Sequence, residues 1–171
     1  MLKTCTQNYI RNMIQRIQSV YLLLVFLIAA LMLLLNPSFA DFRYFKSEKI
    51  SAELHFVTKK YFTESDAGTM TYDKLNVLII IFIGLGALYA VFLYKKTELQ
   101  KKISLYVSLL SVALLASLIF DYLKMAKDAP QVLSYPSIQG IWPISCAVLS
   151  VLAWSAIRRD EKLLRSMDRI R

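Results

Sequence analysis

The chain has 171 residues, of which 57% are hydrophobic, and a formal net charge of +9 at pH 7. Its mean hydropathy of +0.47 is too high for an ordinary soluble domain. The length suits a single domain, 1–171, and the basic charge does not indicate nucleic-acid binding, because no recognition motif accompanies it.

Four uncharged stretches of 18 to 20 residues divide the sequence. About 20 helical residues cross a hydrocarbon core of roughly 30 Å, and a helix satisfies its own backbone hydrogen bonds there. The stretches lack the polar faces at helical spacing that buried helices of a soluble protein would show. They predict an all-α membrane protein with a four-transmembrane-helix bundle, its spans at residues 17–35, 75–94, 103–120 and 138–157.

The first stretch begins within "MIQRIQSVYLLL", residues 13–24, where polar residues give way to apolar ones. Ser38-Phe39-Ala40 resembles a signal-peptide cleavage site, but the apolar stretch has about 19 residues against the usual 7 to 15 of a signal core. We therefore expect a retained first span.

Residues 36–74 form the longest polar segment, and Asn36-Pro37 predicts the end of the first helix. Partly alternating runs at 42–46, 52–58, 61–63 and 69–72 predict two hairpins, which form a small extracytoplasmic antiparallel β sheet between helices 1 and 2. His55, the single histidine, has too few potential ligands nearby to favour a metal site, so we expect an exposed strand histidine.

The segment 121–137 contains two prolines, and we expect a short interfacial segment followed by a turn. Asp121 lies one residue past the third stretch, where we expect it to be solvated at the rim. Pro143, beside Trp142, predicts a kink in the outer third of the fourth helix or an opening of its first turns, and either could form a groove.

Lysine and arginine predict the orientation of the spans. Residues 1–16, 95–102 and 158–171 hold thirteen of the twenty-one bases in 38 residues, whereas 36–74 and 121–137 hold eight in 56. The positive-inside rule then places both termini in the cytoplasm, with residues 158–171 as a cytoplasmic extension of helix 4. The bases would face anionic headgroups, which accounts for the charge without nucleic acid.

Small and weakly polar residues are candidates for helix packing or for a groove. Gly86 and Ala90 form a small-xxx-small pair, which lets helices approach closely, and packing within the monomer is favoured over a dimer face. Ser108 and Ser111 recur at helical spacing, so they could face another helix.

The polar residues just outside the first and fourth spans form a candidate interaction face, consisting of Gln15, Arg16, Gln18, Arg158, Arg159, Asp160 and Glu161. Apolar residues recur near helical spacing in the tail, so the fourth helix is expected to continue as an amphipathic helix. It could lie on the membrane surface, dock on a protein partner, or pack against the first helix with Arg16 facing Asp160 or Glu161.

The segments "MIQRIQSVYLLL" and "AIRRDEKLLRSMDRIR" resemble the ends of an uncharacterised family of bacterial four-span membrane proteins, catalogued only as a domain of unknown function. The resemblance covers nearly the whole chain in layout. It implies a bacterial cytoplasmic (inner) membrane protein, and it suggests that family chains begin near Met13, so that residues 1–12 would be an extension or an alternative start.

These observations predict a non-catalytic accessory or interaction subunit. We expect no catalytic, cofactor-binding or metal-binding residues, the lipid bilayer as a partner, a larger membrane complex as a candidate partner, and no nucleic acid. The alternative is a small transporter or lipid-binding protein that uses the Pro143 region and the serines.

Overall fold

The structure is a computed structural model that describes residues 2–44, 50–61, 69–93, 96–128 and 132–168. These residues form four long α-helices, a five-stranded antiparallel sheet and one 3-10 turn. The elements are α1 (Leu2–Leu35), β1 (Ser38–Tyr44), β2 (Ile50–His55), β3 (Thr58–Tyr61), β4 (Thr69–Tyr72), α2 (Lys74–Phe92), α3 (Thr97–Asp128), β5 (Val132–Pro136), the 3-10 turn (Ile138–Gly140) and α4 (Ile141–Asp168).

All four helices are long and apolar enough to cross a membrane, as the sequence predicted. Their apolar windows are Gln18–Leu35, Lys74–Phe92, Thr97–Lys127 and Ile138–Asp160. Helix α1 packs against α2 and α4, and α3 packs against the same two helices, so α1 and α3 lie on one diagonal of a four-helix bundle.

The bundle has two distinct ends. At the sheet end, α1 finishes, α2 and α4 begin, and the sheet lies against the bundle. At the opposite end, which we call the terminal end, α2 finishes, α3 begins, and α4 meets α1 near Gln18. The antiparallel register of α2 and α3 is set by a hydrogen bond between Ser117 and Asn76 and by a close approach of Gly86 to Val107.

The sheet has the order β4-β3-β2-β1-β5, and every neighbouring pair is antiparallel. The prediction of a sheet built only between helices 1 and 2 is therefore incomplete, because β5 comes from the segment between α3 and α4. Strand β5 pairs with β1 in a register that sets Ser134 against Phe42. This long-range pairing has no local sequence signal, and Pro136 is tolerated because β5 is an edge strand.

Helix α3 is longer than the predicted span and continues to Asp128. The prediction of an interfacial segment from residue 121 is wrong, because Tyr122, Met125 and Ala126 pack under the sheet. Their spacing of three and four residues presents one helical stripe to the strands. The ring centroids of Tyr122 and Phe42 are 5.6 Å apart, so the end of α3 forms the core of the sheet end.

The alternation predicted along β2 is correct. Leu54 and Phe56 are fully buried, and Ala52 is buried, whereas Glu53 and His55 lie on the other face and contact each other. A strand alternates its side chains between two faces, so this pattern fixes which face packs on the bundle.

The two helix boundaries nearest the sheet follow local rules. Asn36 has a φ of 41°, and its N–H donates to the carbonyl of Met32 at 3.2 Å, a left-handed cap that ends α1 before Pro37. Pro143 is the third residue of α4, and the 3-10 turn precedes that helix. In the first turn a missing N–H breaks no helical hydrogen bond, so the position of Pro143 gives no reason for a kink in the outer third of α4.

Candidate functional site

The predicted interaction face at the terminal end is partly used inside the chain. The Gln18 side chain is 2% exposed, and its Nε2 donates to Oδ2 of Asp160 across 142 residues of sequence. The contact joins α1 to α4. Of the three alternatives for the tail, this contact favours packing of α4 against α1 around residue 160. The prediction considered Arg16 as the partner of Asp160, and the structure shows Gln18 in contact with it.

The other members of that face have different positions. Arg158 and Arg159 are exposed on α4. The backbones of Gln15 and Arg16 lie in α1 and that of Glu161 lies in α4, but these three side chains fall outside the described ones. The guanidinium carbon of Arg158 lies 5.3 Å from the ring centroid of Trp154, a cation–π distance.

Serine hydroxyls near the terminal end and the middle of the bundle are engaged with helix carbonyls. Ser104 donates to the carbonyl of Ser150 at 2.8 Å, and Ser111 donates to the carbonyl of Val107 at 2.9 Å. Both serines are fully buried, and Ser108 is 7% exposed. The Ser104 bond joins α3 to α4, whereas the Ser111 hydroxyl is satisfied within α3, so neither hydroxyl is left to line an open passage.

Sequence reasoning missed Gln100, which is 1% exposed near the start of α3. Its Nε2 has no hydrogen-bond partner among the described residues. Its position within a basic segment, "KKTELQKK", suggested a solvated loop, and only the start of α3 at Thr97 turns it inward.

The predicted small-residue pair lies on two helix contacts within the chain. A Cβ added to Gly86 would lie 3.0 Å from Cγ2 of Val107 on α3, and Ala90 is fully buried beside Leu22 and Ala153. Both residues therefore take part in packing within one chain.

An open groove lies between α1 and α4 near the sheet end, with a volume of about 220 Å³. Ile28 and Leu31 line one side, and Ile141, Trp142 and Ser145 line the other. Pro143 is buried, and in the sequence it directly follows Trp142, which lines the groove. The Ser145 hydroxyl donates to the carbonyl of Ile141 at 2.9 Å, and the lining is mainly apolar.

Among the described residues, a charged cluster at the sheet end connects three elements. Lys59 Nζ on β3 lies 3.0 Å from Asp73 Oδ2, before α2, and 2.8 Å from Asp121 Oδ1 on α3. We call these three residues the Lys59 joint. The Asp121 side chain is 13% exposed, so the prediction of a solvated rim aspartate is wrong, because Lys59 reaches it from the sheet.

The charges of the joint stabilise one another. Burial alone would lower the pKa of Lys59, but hydrogen bonds and charge interactions with Asp121 and Asp73 raise it above 10.5. Burial alone would raise the pKa of Asp73, but hydrogen bonding, chiefly to Lys59, holds it below 3.8. Both groups are therefore ionised at neutral pH.

A neutral network extends the joint into the bundle. Asn76, fully buried in the first turn of α2, donates from Nδ2 to Oδ2 of Asp73 at 3.0 Å and accepts from the hydroxyl of Ser117 at 2.8 Å. Asp73 also caps α2 through its side chain. An Asp before an apolar run is a helix-start signal, so this part of the joint could have been found from the sequence.

A second junction ties the end of α1 to the sheet. Asn36 accepts from the N–H of Val57 at 2.9 Å through Oδ1 and donates to Thr58 Oγ1 at 2.8 Å. Its backbone carbonyl lies 2.8 Å from His55 Nδ1, and His55 Nε2 lies 2.9 Å from Glu53.

The prediction of an exposed histidine is wrong, because this junction leaves the His55 side chain 13% exposed. Within the described ranges, no three His, Cys, Asp or Glu residues are grouped so as to hold a metal ion. The ring of His55 is held between Asn36 and Glu53, which assigns it a structural position.

The comparisons with known proteins agree with the resemblance seen at the two ends of the sequence. No curated protein matches the chain. Residues 14–170 match the family described as Domain of unknown function (DUF4293), and the match begins one residue after Met13. It covers nearly all of the sequence, so the chain belongs to the DUF4293 family.

Proposed function

We propose that this protein is a multi-pass integral membrane protein of a bacterial cytoplasmic membrane and serves as a non-catalytic accessory subunit of a membrane assembly. Membrane insertion is supported by the apolar surface of the helices. In each apolar window only 28% to 33% of the residues are buried, while the mean hydropathy is 1.7 to 2.6. Such a surface in water would be strongly unfavourable, whereas lipid solvates it.

The distribution of bases supports an orientation with both termini in the cytoplasm. The segments 1–16, 95–102 and 158–171 carry the excess of lysine and arginine. The described parts of the last two, 96–102 and 158–168, lie at the terminal end. The sheet would then lie on the other side of the membrane.

The observation that carries the accessory role is the Lys59 joint. It fixes a five-stranded sheet to α2 and α3 through charged contacts of 2.8 and 3.0 Å. One sheet face is buried on the end of α3, and the other face carries Glu53, His55 and Lys60. A rigidly held sheet with a polar outer face suits recognition of a protein partner, because a sheet that is already ordered loses little conformational entropy on binding.

The first experiment tests insertion and orientation in membranes of a bacterial host. A single cysteine added after Arg171, in a chain with Cys5→Ser and Cys146→Ala, should react with a membrane-impermeant maleimide only after the membrane is opened. A cysteine in place of Thr71, which is exposed on β4, should react in intact spheroplasts. Labelling of the C-terminal cysteine from outside would contradict the orientation, and release of the chain by alkaline carbonate would contradict insertion.

The second experiment tests the accessory role. The tagged full chain is purified in mild detergent, and co-purifying proteins are identified by mass spectrometry. Lys59→Met should reduce recovery of the partner by loosening the sheet, whereas Lys124→Met, an exposed lysine on α3, should not. Absence of any stoichiometric partner with the intact chain would contradict the proposal.

A second candidate function, lipid binding, is favoured by the apolar groove between α1 and α4. Ser145→Leu would fill it while keeping the helix, and native mass spectrometry would then show less retained lipid than with Leu109→Ile, an exposed control on α3. Equal retention would remove this candidate. A transporter is less favoured, because Ser104, Ser111 and Ser150 hydrogen-bond to helix carbonyls.

A further inference from the structure

We propose that the exposed face of α4 at the terminal end binds the headgroup of an anionic phospholipid, with Arg158 and Arg159 contacting the phosphate. This inference rests on the proposed membrane insertion and adds the class of lipid that the protein selects. The residues concerned are Val151, Leu152, Trp154, Arg158, Arg159 and Lys162, which we call the α4 strip.

The α4 strip repeats the order of chemical groups in a phospholipid. Val151 and Leu152 are 45% and 43% exposed and apolar, and Trp154 follows with a half-buried ring. Arg158 and Arg159 come next on the same exposed side of the helix. At 1.5 Å per residue the step from Leu152 to Arg158 is about 9 Å along the helix axis. Acyl chain, interface and phosphate follow one another over a comparable depth, and tryptophan favours the interface.

Arg158 is positioned in advance for an anion. Its guanidinium lies 5.3 Å from the centroid of the Trp154 ring, which limits the conformations of a long side chain. A guanidinium stacked on a ring keeps its in-plane N–H groups available for a planar, two-point contact with phosphate oxygens.

Among the described side chains, the acid beside the arginines of the α4 strip is Asp160, whose charge interacts with Arg159. No salt bridge of Arg158, Arg159 or Lys162 is present there. The carboxylate of Asp160 also accepts a hydrogen bond from buried Gln18. Among the described side chains, three basic groups thus stand beside one acid next to an apolar helix surface, a combination that attracts anionic lipids more than zwitterionic ones.

The test uses the full chain reconstituted in vesicles, with Trp142→Phe so that Trp154 is the single tryptophan. Its fluorescence is measured in mixtures of unlabelled phosphatidylcholine with brominated phosphatidylglycerol or brominated phosphatidylcholine. We expect phosphatidylglycerol to quench Trp154 with an apparent affinity on the order of tenfold higher, and about 0.5 M salt to reduce this ratio.

Paired variants separate charge from general effects. Arg158→Gln with Arg159→Gln should bring the ratio of the two lipids close to one. Arg158→Lys with Arg159→Lys keeps the charge but removes the planar two-point contact, so it should keep only part of the preference, and it also controls for folding. Lys124→Gln with Lys127→Gln removes the same charge from exposed positions at the sheet end and should leave the ratio unchanged.

Each contrary result has a separate meaning. If neither brominated lipid quenches Trp154, membrane insertion itself is wrong. If both lipids quench equally, or if the Arg158→Gln, Arg159→Gln chain keeps its preference, insertion stands and the headgroup assignment is overturned. If that variant instead loses a co-purifying protein without any change in lipid preference, the α4 strip is a protein-docking surface and the assignment to lipid is wrong.

Discussion

The two ends of the bundle are held together by different interactions. At the sheet end, a charged joint of Lys59, Asp73 and Asp121 lies beside a packed cluster that includes Phe42 and Tyr122. At the terminal end, the hydrogen bond between Gln18 and Asp160 joins α1 to α4 beside the buried cluster of Leu22, Ala90 and Ala153, while Arg158 and Arg159 remain exposed. Charge is thus used internally at one end and presented externally at the other.

This difference bears on function because basic side chains have different roles at the two ends of the bundle. A lysine that two carboxylates hold at 2.8 and 3.0 Å is part of the scaffold, whereas an arginine without a paired acid among the described residues is available to a ligand. Exposed single ion pairs contribute little stability, so the sheet end is expected to owe its rigidity to burial and to the shared lysine. The following changes probe this comparison, from the largest expected effect to the smallest.

Phe42→Ala should destabilise the sheet end by about 3–5 kcal/mol, because it removes a fully buried ring between β1 and α3. Hydrogen exchange in detergent should become faster in β1, β2 and the end of α3, with little change near Gln18. The matched control is Phe120→Ala, since Phe120 is 68% exposed. Equal protection in both variants would show that the aromatic cluster does not hold the sheet.

Lys59→Met should cost about 1–3 kcal/mol, because it leaves the carboxylates of Asp73 and Asp121 close together without their shared cation. Thermal unfolding with the sheet signal in circular dichroism measures the loss, and Lys124→Met serves as the exposed control. Adding Asp121→Asn to Lys59→Met should recover part of it. Strictly additive effects would argue against a coupled joint.

Gln18→Leu should destabilise the terminal end by about 1–2 kcal/mol, because the partly buried carboxylate of Asp160 loses its donor. Faster hydrogen exchange in α4 around residue 160 would report the change. The double variant Gln18→Leu with Asp160→Leu should be closer to the parent than the single one. A single variant with parental exchange would mean that this contact does not close α1 on α4.

Changes of pH should alter the stability of the sheet end less than the substitution Lys59→Met does. The pKa of Asp73 is below 3.8, so its contribution is complete above that value and is lost as pH falls through the lowered pKa. The pKa of Lys59 is above 10.5, so its contribution is complete below that value and is lost as pH rises through the raised pKa. The difference in melting temperature between the parent and Lys59→Met should stay constant between about pH 5 and 9.

Gly86→Ala should change stability by less than about 1 kcal/mol in either direction. Alanine favours a helix by roughly 1 kcal/mol over glycine, but the new Cβ would lie 3.0 Å from Val107 Cγ2. The melting temperature in detergent tests this balance. Combining the change with Val107→Ala removes the close approach but also a buried side chain, so a melting temperature above that of Val107→Ala alone would identify the helix gain. Loss of solubility in the single variant would indicate that Gly86 does more than pack on α3.

The sequence predicted the four apolar helices because their signal is local and long. Each uncharged stretch contains enough residues to define a helix without knowledge of its neighbours. The end of α1 was predicted from Asn36-Pro37, and Asp73 is a similar local signal for the start of α2, although the predicted span began at residue 75. The alternation of Leu54 and Phe56 with Glu53 and His55 correctly gave the buried face of β2.

The candidate site was only partly predictable. Residues 15–18 and 158–161 were recognised as informative, but the pairing of Gln18 with Asp160 depends on the register of two helices that are far apart in sequence. The pairing of Lys59 with Asp121 was not predicted, because the two residues lie 62 positions apart, one on a strand and the other on a helix. The burial of Gln100 was not predicted, because it lies in a basic segment whose local pattern indicates exposure to solvent.

Hydrophobicity and helix-boundary chemistry, both properties of neighbouring residues, thus determined the number of helices and the position of the apolar span in each. The tertiary structure decided that β5 joins β1, that α3 extends under the sheet, and that Lys59 bridges Asp73 and Asp121. Those features depend on where remote segments meet in space. The free energy of such contacts comes from burial and charge pairing that no single segment possesses alone.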